Sequence, residues 1–67
     1  MELSARNQLP GTVKSITLGA VMAEVVVDVS GHELVAAITR SSVERMNVNV
    51  GDAITVVIKA TEVMIAK

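Results

Sequence analysis

Cysteine is absent from the 67 residues, which excludes disulfides and thiolate metal sites. Phe, Tyr and Trp are absent as well. Their absence removes the side chains that bury the most area, and the stacking platforms on which single-stranded nucleic acids are held. There is one histidine, His32, with no second imidazole or thiol at coordinating spacing, so no direct metal-cation ligands are expected. No Ser-His-Asp set or close carboxylate pair stands in a recognisable context, and no catalytic residue is expected. Six basic against seven acidic residues give a formal net charge of -1, which is no footprint for nucleic acid. No apolar run approaches the roughly 20 residues of a membrane span. Met1-Glu2-Leu3-Ser4 is neither basic nor followed by an apolar stretch, so no signal peptide is expected and the cytoplasm is the expected compartment.

What the chain does have is aliphatic bulk. Hydrophobic residues make up 51%, mainly Val, Ala and Ile. At 67 residues one domain, 1–67, is expected, near the lower limit for a self-sufficient core. A small core cannot hide that much apolar surface, so sheet faces or edges are expected to be buried between copies in a homo-oligomer.

Taken in order, Ser4 to Gln8 is a polar run holding a hydroxyl, a guanidinium and two amides, and Pro10-Gly11 is expected to break it. Val13 to Thr17 reads as the end of a first strand, with Val13 and Ser15 on one face and Lys14 and Ile16 on the other. Leu18-Gly19-Ala20 reads as a short connection. Val21 to Val29 carries the clearest period-two pattern, with Val21, Ala23, Val25, Val27 and Val29 on one face. After a turn at Ser30-Gly31-His32, Glu33 to Thr39 is nearly apolar on both faces, which predicts a central or interface strand. Ser41 and Glu44 have capping-box spacing for a short helix ending near Met46. Asn49 to Asp52 reads as a turn, Ala53 to Ile58 as a fourth strand and Val63 to Ala66 as a fifth. Three strands, a helix and two strands is the element order of an all-β, five-stranded OB-type Greek-key barrel.

Binding residues are sought where polar groups meet ordered backbone. Ser4 and Arg6 offer a hydroxyl and a planar fork of donors, a plausible oxyanion clamp; the alternative is a solvated arm. Thr39 and Ser42 straddle the predicted helix start, where free amides favour an anion, or they merely end a strand and begin a helix. Lys59 is either an ordinary edge charge or a second cation. Together Arg6 and Lys59 with hydroxyl and amide donors fit a doubly charged tetrahedral oxyanion, and the two ends of a small barrel can meet across a subunit boundary. His32 reads as a turn residue.

The opening Ser4-Ala5-Arg6-Asn7-Gln8-Leu9 with Gly11, the run from Val21, Ile38-Thr39 with Ser42-Val43, and Ile58-Lys59-Ala60-Thr61 with Val63-Met64 together resemble the molbindins. These are the small molybdenum-pterin-binding-protein (Mop) family, whose fold also forms TOBE domains. The resemblance implies an OB-type subunit that exchanges strands into a dimer, with dimers assembling as a trimer into a hexamer. It implies molybdate or tungstate as bound ligand, with no catalytic cofactor. Ser4 and Arg6 would come from one subunit, and Thr39, Ser42, Lys59 and the amide of Ala60 from its neighbour. Gly19, Ala20 and His32 would belong to a secondary anion site. Pro10 stands where relatives commonly have Lys, and no aromatic or Gly-rich pterin pocket is evident.

The expected function is therefore cytoplasmic molybdate or tungstate storage and homeostasis. The alternative is a molybdate-sensing interaction module that acts through a protein partner. A nucleic-acid-binding OB protein ranks last, given the missing aromatics and the net charge.

Overall fold

A computed structural model describes residues 2–67; Met1, part of the stretch read for a leader, lies outside the described residues. The alternating valines form β2 (Met22–Val29), which pairs antiparallel with β3 (His32–Thr39). Between them only Ser30 and Gly31 turn the chain, both at positive φ (51° and 86°), as a two-residue hairpin of type I′ requires. His32, expected in that turn, is instead the first residue of β3 and pairs with Val29.

The first strand is longer than expected. β1 (Asn7–Leu18) runs straight through Pro10-Gly11, which do not break it. Pro10 pairs with Thr55 of β4 (Ala53–Ile58), while pairing with β2 begins only at Thr12, so the missing proline N–H falls where one side of β1 is unpaired by β2. Gly11 is there for space: a Cβ would meet Val27 Cγ1 at 2.7 Å, the Asp28 carbonyl at 2.8 Å and Val29 Cγ2 at 2.9 Å.

A bulge at Lys14 corrects the expected faces of β1. Val13 pairs with Val27 and Ser15 with Val26, leaving Lys14 without a partner. The extra residue shifts the parity, so Val13 (1% exposed) and the half-buried Ile16 both point inward, and Lys14 and Ser15 both point out. Lys14 pairs with Glu33, whose hydrogen bond and negative charge raise the lysine above its ordinary 10.5.

The result is one open antiparallel sheet in the order β3-β2-β1-β4. β3 is therefore an edge, so of the central or interface position its apolar faces predicted it does not take the central one within the chain, and its Val35 is 64% exposed. α1 (Arg40–Arg45) links β3 towards β4 and plants Val43 in the core with Val13, Ala23, Val25 and Val27. Thr39, not Ser41, caps this helix: its side chain accepts from the Ser42 amide at 3.1 Å. Met46 follows as C-cap, as the pattern predicts.

No fifth strand forms at Val63–Ala66 within the chain. Ala60–Glu62 make one turn of 3-10 helix, because the Glu62 and Val63 amides return to the carbonyls of Lys59 and Ala60 (2.9 and 3.4 Å). Beyond it Met64 and Ile65 are each 90% exposed. An apolar groove of about 570 Å³ stays open across the inner face, lined by Val25, Val27, Ala36, Ile38, Ile54 and Val56 among others. The chain exposes 5390 Å², where a folded monomer of this length exposes about 4,000 Å². No helix among the described residues is long and apolar enough to cross a membrane.

Candidate functional site

The site follows from register. β1 and β4 are antiparallel neighbours with Asn7 opposite Ile58, so the arm before β1 meets the segment after β4. Ser4, Ala5, Arg6 and Asn7 on one side, and Lys59, Ala60 and Thr61 on the other, line a cleft of about 530 Å³. It offers two cations, two hydroxyls and a carboxamide, and among the described residues no carboxylate lines it. The ion pairs among the described residues are Lys14–Glu33 and Arg40–Glu44, so neither Arg6 nor Lys59 is neutralised by a side chain. Ala60 opens the 3-10 turn, where amides have no acceptor within the helix. Such a cleft can take a small anion with excess charge and several oxygens.

The polar arm has little apolar surface to hold it, and its amides do that work. The Asn7 Nδ2 donates to the Ile58 carbonyl at 3.1 Å. The Gln8 amide N–H returns to the Arg6 carbonyl at 3.0 Å, a three-residue turn centred on Asn7. The Gln8 Nε2 donates to the Ala5 carbonyl at 2.7 Å. Sequence reasoning assigned no role to Asn7 or Thr61, which also line the cleft; the signal was their contiguity with Arg6 and Lys59.

Ser4, Arg6, Lys59 and Ala60 thus meet within a single chain, although the resemblance divided them between subunits. Thr39 and Ser42 do not join them. Thr39 pairs with Met22, beside the Leu18 end of β1, whereas Arg6 precedes the Asn7 end, and β3 and β4 are opposite edges of the sheet. The Thr39 and Ser42 hydroxyls are hydrogen-bonded to each other at 2.7 Å, and the Ser42 amide is taken by the Thr39 cap. Within one chain the Ser42 amide is therefore not among the free amides expected at this helix start.

The three secondary positions are also split. Ala20 lines a shallow cleft of about 280 Å³ with Thr39, Arg40 and Ser41. The Gly19 carbonyl accepts from Arg40 Nη1 at 3.3 Å. His32 is exposed at the far end of β3, so one chain does not bring it to Gly19 and Ala20. Among the described residues no group of three or more His, Cys, Asp or Glu side chains could hold a metal ion.

Residues 3–65 match the TOBE domain model. The chain belongs to the TOBE domain family. This TOBE chain is 46% identical to molybdenum-pterin-binding protein 3 of Clostridium pasteurianum over 66 residues, covering 97% of each. It matches the structure of a molybdate-binding protein from Sporomusa ovata at 49% identity and a TM-score of 0.96, over 100% of both chains. It also matches the cytoplasmic molybdate-binding protein ModG, solved with molybdate bound, at 43% identity and a TM-score of 0.84. There the TOBE chain is covered to 90% and spans 43% of the ModG chain.

Proposed function

We propose that this chain binds molybdate or tungstate non-enzymatically, for storage and homeostasis in the cytoplasm. The observation that carries the reading is the cleft between the chain's two ends, where Arg6 and Lys59 stand together without a carboxylate on its lining. Two cations match the charge of a tetrahedral dianion, and Ser4, the Ala60 amide and the cleft's other donors match its oxygens. The relatives' names supply the identity of the anion. Molybdate and sulfate present similar acceptors, so selection for the larger anion rests on the size of the enclosed space.

In this reading the site is completed by a second copy that brings Thr39 and Ser42, with a secondary anion held near Gly19, Ala20 and His32 where copies meet. The single TOBE domain closes into a five-stranded OB barrel by exchanging a strand, and dimers assemble as a trimer into a hexamer. Three observations support assembly: the open apolar groove, the exposed Met64 and Ile65, and a surface excess of roughly 1,300 Å² per chain. That excess is more than one partner's usual share of an interface, about 800 Å², and so favours two contacts per subunit. A sensing module acting through a protein partner is not favoured, since relatives of matching length are binding proteins.

Native mass spectrometry with and without sodium molybdate tests the whole reading, because it counts subunits and anions together. A hexamer that gains molybdate is the expected result. A monomer that retains no molybdenum, or calorimetry that gives sulfate the same affinity, sinks it.

A further inference from the structure

We propose that Asn7, assisted by Gln8, is the positioning residue of the anion cleft, holding Arg6 opposite Lys59. The inference rests on the oxyanion-binding reading. Three hydrogen bonds converge on the arm, and none involves the Arg6 side chain itself. Asn7 Nδ2 crosses to the Ile58 carbonyl at 3.1 Å, the last residue of β4 and the one before Lys59. The backbone turn from Gln8 to the Arg6 carbonyl fixes the direction in which Arg6 leaves the strand. Gln8 Nε2 ties the same arm to the Ala5 carbonyl at 2.7 Å.

Asn7 is half-buried, whereas Ser4, Arg6, Lys59 and Thr61 are exposed, so it is the anchored member of the polar set. Without its carboxamide, the arm is joined to β4 only by the end of a ladder, where strands fray. Arg6 then samples many positions, and each must be given up again when an anion binds. Asn7 acts through Arg6, so its effect must vanish when the guanidinium is gone.

A double-mutant cycle reads this directly. Sodium molybdate and sodium sulfate are titrated calorimetrically into the wild type, Asn7→Ala, Arg6→Ala and the double variant. Asn7→Ala is expected to weaken molybdate binding roughly three- to tenfold, the scale of one net hydrogen bond. In the Arg6→Ala background the same change is expected to cost less than about twofold. Equal losses in both backgrounds, or none in either, overturn the positioning role; the first outcome makes Asn7 a direct ligand or a general stabiliser. Wild type that fails to bind molybdate overturns the underlying function instead. Should Asn7→Ala not fold, Gln8→Ala carries the same cycle, with the same signs and a smaller effect.

Discussion

Asn7 donates its side-chain amide to the Ile58 carbonyl at 3.1 Å across 51 positions of sequence, and this contact stands at the mouth of the cationic cleft. It marks where the two ends of the chain are joined. Arg6 lies one residue before it and Lys59 one residue after. Replacing Arg6 by Ala removes a charge-assisted contact worth about 1.5–3 kcal/mol, so molybdate binding is expected to weaken roughly ten- to a hundredfold. Arg6→Lys restores the charge without the planar fork and is expected to recover only part of that loss. Calorimetry checks both, and an Arg6→Ala variant with full affinity would falsify the site.

Gly11→Ala places a methyl within 3 Å of Val27, Asp28 and Val29, at a point where β1 and β2 are pressed together. Relief requires the strands to part, at about 1–3 kcal/mol. The expected outcome is a melting temperature lower by several degrees in the absence of anion. An unchanged melting curve would show that β2 yields freely.

Among the described residues Met64 and Ile65 present the most exposed large apolar side chains, each at 90%. If a neighbouring copy covers them, Met64→Glu with Ile65→Glu buries charge in an apolar contact and dissociates the assembly. Sedimentation velocity is expected to show smaller species, while circular dichroism retains the signal of the sheet. A variant that keeps the wild-type sedimentation coefficient would rule out a role for this tail in assembly.

Lys14 titrates higher than an ordinary lysine because Glu33 hydrogen-bonds to it and attracts it. A raised pKa in the folded state contributes stability that is present below the ordinary 10.5 and lost as the pH climbs through the folded value. Both side chains are more than half exposed (59% and 53%), so solvent screens the pair heavily. Glu33→Gln is therefore expected to move the neutral-pH melting temperature by no more than about two degrees. A larger drop would mean that the pair, rather than the bulge, sets the path of β1.

Much of this architecture can be read from residue order. Ala23, Val25, Val27 and Val29 hold one face of β2 at period two, and Ala53 to Ile58 alternates in the same way; β2 begins only at Met22, so Val21, expected on that inner face, is left 72% exposed. Lys14 shows why the rest is harder. Val13-Lys14-Ser15-Ile16 is as regular as any strand on paper, and only the pairing partners across β2 show that one residue has been skipped. The helix cap moved from Ser41 to Thr39 because both carry a hydroxyl and only backbone geometry selects between them. The cleft was legible as two basic ends, Arg6 and Lys59. That a single chain brings these two ends together depends on the Asn7–Ile58 register, a long-range fact that no local pattern encodes.

The adjacency of residues 7 and 58 also bears on how the chain tolerates rearrangement. Because the first strand opens beside the place where the last one closes, a second copy can follow the first head to tail through only a short linker. By the same geometry, a bulky affinity tag placed directly before Ser4 would crowd the entrance to the cleft, so protein meant for ligand titrations is better prepared with such an extension cleaved away.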